Sequence, residues 1–362
     1  MQSRKIAVVV VVVGLVVAGT GVPANADEVR DGQRQLAELQ VEEAHQHSLG
    51  DGVTVAVLDS GVDASHPDLR GNVLPGIDLT DRGGDGRDDP TGRGTVLAGL
   101  VAGHGHGERA GDGVLGLAPA AVILPVVVAP PGAAPAAGTL AAGIDEAARR
   151  GAGVICIGAP VPDDPAVSRA LGTAVAAGAV VVVPGVPAGD ALGRYGGAGL
   201  LGAVPSPSLT GGQGVVAVPA AGALSTGGQG GYYLHARATQ AAAAGLLAGA
   251  VALVRAAHPG LAAHELTHRL AQTTDRGELD LVAALTEAVE PPADPPPPPP
   301  PPAAGTAAPS EPPEPPDPTT QVAAFDSDDW HRWLVGAPLL AFLVVLVGLS
   351  VAGARRARRS PR

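Results

Sequence analysis

Two hydrophobic periods alternate along most of this chain. At 53–58 (VTVAVL) valines recur at every second position among other apolar residues, which predicts a buried strand. Short apolar runs at 122–128, 154–157, 179–183 and 215–218 predict further strands. Between them, 91–103 (TGRGTVLAGLVAG), 139–150 and 166–177 read as helices, the first opened by a glycine turn. Strands alternating with helices of about 10–15 residues predict a parallel sheet covered on both faces, an α/β architecture. Residues 190–234 are glycine-rich and only weakly patterned, and the apolar run LLAGAVALVRAAHPGL follows at 246–261. Two closing helices are predicted at 261–270 and 279–288. Near the start, 33–46 (QRQLAELQVEEAHQ) places Leu36, Leu39 and Ala44 at roughly helical spacing, predicting a short amphipathic helix across the body of the domain.

Two other apolar runs belong to the ends. The first, 6–17, follows Arg4 and Lys5 and precedes Ala24-Asn25-Ala26, so 1–26 reads as a secretory signal peptide. An uncleaved membrane anchor is the alternative. The second, 334–354, is long enough to cross a hydrocarbon core of ~30 Å as a helix. Trp330 and Trp333 flank it on one side and Arg355, Arg356, Arg358, Arg359 and Arg362 on the other. The positive-inside rule then makes 355–362 a basic cytoplasmic tail and leaves the folded part extracytoplasmic, held in the cell membrane by a single span. A proline-rich linker at 291–329 separates domain from span, with an unbroken proline run from Pro295 to Pro302. As a polyproline II spacer its stretch 291–318 reaches roughly 85 Å; a ligand for a proline-binding module is the other reading. The folded domain is thus expected at 27–290.

Composition narrows the function. Aromatic residues make up 2% of the chain, so the core must be built from Val, Ala and Leu. A net charge of −12 leaves no basic stripe for nucleic acid. Cys156 is the one cysteine; it excludes an intrachain disulfide and, within an apolar strand, reads as a buried, inert thiol. Asp81, Asp85, Asp88 and Asp89 form an acidic loop that could hold a hard cation such as calcium, but the spacing fits no established loop pattern. A solvated loop is the reading adopted, and neither metal nor cofactor is expected.

The strand at 53–58 runs into Asp59, and Ser60-Gly61 turn the chain away. A carboxylate at the carboxyl end of a central strand sits where open α/β sheets place their chemistry. Asp59 to Asp63 (DSGVD), with His66-Pro67-Asp68-Leu69, resembles the aspartate motif of the subtilases, the subtilisin-like serine proteases. Residues 91–103 resemble the family's histidine motif, a Gly-His-Gly-Thr turn and Ala-Gly helix, with Arg93 at the histidine position. Ala118-Pro119 and the strand after them match a further family turn. The helix from Ala248-Gly249 to Pro259 resembles the one that carries the nucleophile. Reading back from it puts the serine position at Ala241, or at Gln240 after a one-residue shift. The loop after 179–183 would carry the oxyanion asparagine; Ala188 or Pro187 stands near that position.

The resemblance covers about 30–290. With the signal peptide, linker and anchor it points to the mycosins, the membrane-anchored subtilases of type VII secretion systems in actinobacteria. It implies a subtilisin-like three-layer fold with a central, mostly parallel sheet. It also implies association with type VII membrane subunits, and a cleft inherited for peptide. Mycosins usually pair cysteines and keep all three catalytic residues, and here this chain departs from them.

A serine protease of this class needs a hydroxyl, a neutral imidazole, an orienting carboxylate and an oxyanion donor. Only Asp59 remains. Guanidinium stays protonated at any working pH, so Arg93 is no base. In a subtilisin, loss of the serine or the histidine alone costs about 10⁶ in kcat. The expectation is therefore a pseudoprotease in which Arg93 pairs with Asp59. The rivals are a working serine endopeptidase with an atypical site and a surface peptide-binding module. Other candidate groups have structural readings. His104 and His106 are assigned to an exposed loop remote from Arg93, and His66 to fixing the turn after the strand. Ser206, Ser208 and Ser225 are read as turn hydroxyls bonded to backbone, and Thr239 as a hydroxyl with no base to activate it.

Overall fold

The computed structural model describes residues 26–80, 83–187, 189–195, 198–207, 214–237, 239–275 and 278–292. The signal-peptide, linker, membrane-span and tail assignments lie outside the described residues, apart from Ala26 and the linker's first two prolines. Three short helices, α1 (Ala26–Asp31), α2 (Arg34–Glu38) and α3 (Val41–Ala44), precede β1 (Thr54–Asp59). There follow β2 (Ile77–Asp78), α4 (Arg93–Ala102), the hairpin β3 (His104–His106) and β4 (Asp112–Leu115), and β5 (Val122–Val127). Next come α5 (Ala137–Arg149), β6 (Val154–Ile157), α6 (Pro165–Ala176), β7 (Val180–Pro184), α7 (Ala191–Tyr195), β8 (Leu200–Pro205) and β9 (Val215–Val218). A second hairpin, β10 (Leu224–Thr226) and β11 (Tyr232–Leu234), leads into α8 (Gln240–Ala257). The domain closes with α9 (Ala263–Gln272), β12 (Thr274–Asp275), β13 (Glu278–Leu279) and α10 (Leu281–Thr286).

The main sheet runs β12-β13-β9-β8-β7-β6-β1-β5-β2, and every pairing but β12 with β13 is parallel. After β1 the chain adds β5 on one side and then returns to build β6 to β9 on the other. The order therefore reverses at β1, and the crevice at such a reversal is where α/β sheets bind ligands.

Strand periodicity assigns the faces. Val55 and Val57 belong to the core that contains α4 and α8, while Ala56 and Leu58 belong to the one lined by α5 and α6. By the same alternation Asp59 faces α4. The α4 and α8 helices run parallel in register: Gly245 meets Leu97 and Leu100, and Gly249 meets Val101 and Leu100. One turn back, the register sets Arg93 opposite Ala241 at the start of both helices. Among the described residues α8 is the one helix apolar and long enough to cross a membrane, but 72% of that stretch is buried inside the domain. It is the core helix.

Two expectations need correction. The single helix at 33–46 is broken, because Gln40 takes φ 50 in the left-handed region between α2 and α3. The inward-turned Gln33 and Gln35 instead bond main chain of the body, Gln33 at Leu115 and Leu224 and Gln35 at Leu224. Those contacts outweigh a continuous helix. The last helix is also shorter than 279–288, since Asp280 caps it by accepting from Ala283 N at 2.9 Å and Leu279 belongs to β13.

Candidate functional site

Asp59 ends β1 and is only 2% exposed. Its Oδ1 accepts from Ser60 N at 2.7 Å, from Arg93 Nε at 3.0 Å and from Arg93 Nη2 at 2.9 Å. The expected pair therefore forms, with both guanidinium nitrogens converging on one oxygen. Room for the carboxylate comes from Gly158, where a Cβ would lie 2.1 Å from Asp59 Oδ2 and 2.6 Å from Leu97 Cδ1. Burial raises the Asp59 carboxyl above the ordinary range; the Arg93 charge and hydrogen bond pull it back, and nearby Asp89 raises it further. On the neighbouring strand Cys156 is fully buried and its thiol is pushed up to about 12, first by burial and then by the Asp59 charge. It is inert, as expected.

Asp89 was placed in a solvated acidic loop, and that reading fails for this residue. It is buried, and its carboxylate accepts from Ser60 Oγ, Thr91 N and Oγ1, Gly92 N, and Thr95 N and Oγ1. It thereby anchors the entry to α4, where a negative group also meets the positive end of the helix dipole. Asp85 and Asp88 do remain at the surface, Asp85 paired with Arg87 at 2.5 Å, while Asp81 lies outside the described residues.

At the start of α8, Thr239 caps the helix by accepting from Ala242 N at 3.1 Å. Gln240 is exposed, and its carboxamide lies over Gly185, where a Cβ would sit 2.6–2.7 Å from all three of its terminal heavy atoms. Gly185 also takes φ +69, so it is required there twice over. Ala241 is half-buried and packs on the core. Of the two loop residues named for the oxyanion position, Pro187 is buried and Ala188 lies outside the described residues. The loop residue that meets the helix start is Gly185, which sequence reasoning passed over.

His66 is fully buried; its Nδ1 accepts from Asp68 N at 3.2 Å and its Nε2 donates to Gly231 O at 2.9 Å, which assigns the Nε2–H tautomer and a structural role. His104 and His106 do not form a loop. They make β3, and His106 Nδ1 bonds buried Asp68 Oδ1 at 2.5 Å because that carboxylate, which also accepts from Val114 N, needs a partner. They follow the far end of α4, remote from Arg93, as expected. Ser225 donates to Val96 O at 2.7 Å. Ser206 Oγ is instead buried with no partner among the described residues, and Ser208 lies outside them.

Thr239 does have an imidazole beside it, contrary to expectation: its Oγ1 lies 3.4 Å from His235 Nδ1. Burial lowers His235 to about 4, which makes it a weak base, and its Nε2 has no orienting partner among the described residues. The hydroxyl, moreover, is engaged as a cap.

The subtilase family profile matches residues 50–190. Over that stretch the chain is similar to subtilases, and mycosins are among the relatives it resembles. Mycosin-1 of Mycobacterium tuberculosis is 43% identical over 86 residues, which are 24% of this chain and 18% of that protein. Thermitase of Thermoactinomyces vulgaris is 32% identical over 160 residues, 44% of this chain and 56% of the relative. The chain thus aligns with less than two thirds of these relatives' length. The solved structure of MycP3 protease from the type VII (ESX-3) secretion system is similar with a TM-score of 0.59 and 29% identity, covering 70% of this chain and 88% of that one. The mostly parallel sheet with helices on both faces is the subtilisin-like fold.

Proposed function

We propose that this subtilase is a pseudoprotease: a membrane-anchored, extracytoplasmic scaffold or binding component of a type VII secretion system. The observation that carries the reading is the Asp59–Arg93 pair at 2.9–3.0 Å, in which the carboxylate that would orient a base is neutralised by a group that cannot act as one. In this reading Asp59 is the retained acid, Arg93 stands in for the histidine, and Gln240 or Ala241 for the serine. The carboxamide of Gln240 and the methyl of Ala241 supply no nucleophile. Anchorage rests on the sequence at 334–354, and the secretion role on the relationship to mycosins. Two measurements on the full chain in detergent test the proposal. A fluorophosphonate serine probe gives no adduct; a specific adduct that disappears in Asp59→Asn refutes the pseudoprotease. On native gels the protein migrates with type VII membrane subunits, and migration alone refutes the scaffold.

A second reading, a peptide-binding module, draws support from Val186 (60%) and Leu234 (51%), the most exposed large apolar side chains among the described residues. They neighbour Gly185 and His235, which both contact residues at the start of α8. Peptide capture that survives removal of the secretion subunits favours it over the scaffold.

A further inference from the structure

His235 is a buried titratable residue for which the proposed function has no use. It is 7% exposed and lies just past β11. Its main chain ties the second hairpin together, donating to Ala223 O at 2.8 Å and accepting from Gly222 N at 2.8 Å. Its ring packs edge-on to Tyr233 at 4.8 Å between centroids, and Nδ1 reaches the Thr239 hydroxyl. One residue therefore joins the β10–β11 hairpin to the cap of α8, whose first turn carries Gln240 and Ala241.

The surroundings suit only a neutral ring. The ring contacts Tyr233 from its own strand and the Thr239 hydroxyl from α8, and burial alone, with no charged group, shifts it. Among the described residues no carboxylate bonds to it, and Nε2 is buried without a partner. An imidazolium has two N–H groups to satisfy, so protonation would leave Nε2–H unbonded and add a buried charge with no counterion.

We propose that His235 is an acid-sensitive latch: neutral, it holds the β10–β11 hairpin to the cap of α8, and protonation frees the start of that helix. The direction follows from linkage. Burial depresses the ring to about 4 from an ordinary 6.5, so an opened state binds the proton first as pH falls. The stability contributed by the neutral ring is complete above about 6.5 and is lost progressively towards 4. At pH 5 the opened form gains about 30-fold relative to pH 8. The latch operates whether or not the cleft is catalytically inert.

Hydrogen exchange on the full chain in detergent, corrected for intrinsic rates, tests this over segments 214–237 and 239–245. Between pH 8 and pH 5 the opening equilibrium there rises about 30-fold in the wild type and stays nearly flat in His235→Gln, with α5 as internal reference. Three outcomes overturn the proposal: no rise in the wild type, an equal rise in the variant, or an equal rise in α5. Should the variant fail to fold, NMR titration of the wild-type ring decides, since a midpoint near 6.5 refutes the latch and one near 4 supports it.

Discussion

Asp59 and His235 are both buried titratable groups, each within reach of one of the two parallel helices that meet at the end of β1. They keep their places by opposite means. Asp59 has a guanidinium beside it at 2.9–3.0 Å, so its buried carboxylate has a counterion. Among the described residues His235 has no charged partner, and it stays buried by remaining neutral. A third buried group, Asp89, is held by main-chain and hydroxyl donors. Burial is thus compatible with a charge only where the neighbours are built for it, and the two arrangements respond oppositely to acid.

That contrast is broken most strongly at Arg93. Arg93→Met leaves Asp59 buried and unpaired, and a loss of ~3–5 kcal/mol in urea unfolding at pH 8 is expected. The sign with pH is opposite to that of His235. Burial already raises the folded-state carboxyl, and removing Arg93 raises it further. The folded state then binds the proton before the unfolded one, so the variant regains stability as pH falls towards the ordinary carboxylate value of 3.8. A variant equally destabilised at pH 8 and pH 5 would show that the ion pair is not what Arg93 contributes. Asp89→Ala follows with ~2–3 kcal/mol, because several buried donors lose their acceptor; faster amide exchange confined to the start of α4 is the local signature. The smallest effect belongs to Thr239→Ala, ~1 kcal/mol for a lost cap, largely restored in Thr239→Ser. If Thr239→Ala also flattens the acid response at the start of α8, the hydroxyl is part of the latch.

Much of this was legible in the residues. Alternation at 53–58 announces a strand whose last residue, Asp59, shares a face with Val55 and Val57, and the glycine turn at 91–92 announces a helix beginning at Arg93. That the two would meet followed from the resemblance, which sets Arg93 at the histidine position; charge then predicted the pair, since a buried carboxylate needs a cation. The same reasoning failed for Asp89, because DRGGDGRDD looks solvated throughout and nothing local marks which carboxylate turns inward. It failed again at 33–46, where two glutamines that would suit a helix surface bond main chain of β4 and β10 far along the chain.

What the amino-acid order decided by itself is whatever repeats over short distances: strand parity and helix spacing. Tertiary structure alone decided that Gln240 covers Gly185, that Asp89 anchors α4, and that His235 meets Thr239 while its Nε2 finds no hydrogen-bond partner among the described residues. Periodicity records which face a side chain presents. The partner it meets there, and whether water can reach it, depend on how distant segments pack, and those distances leave no local pattern to read.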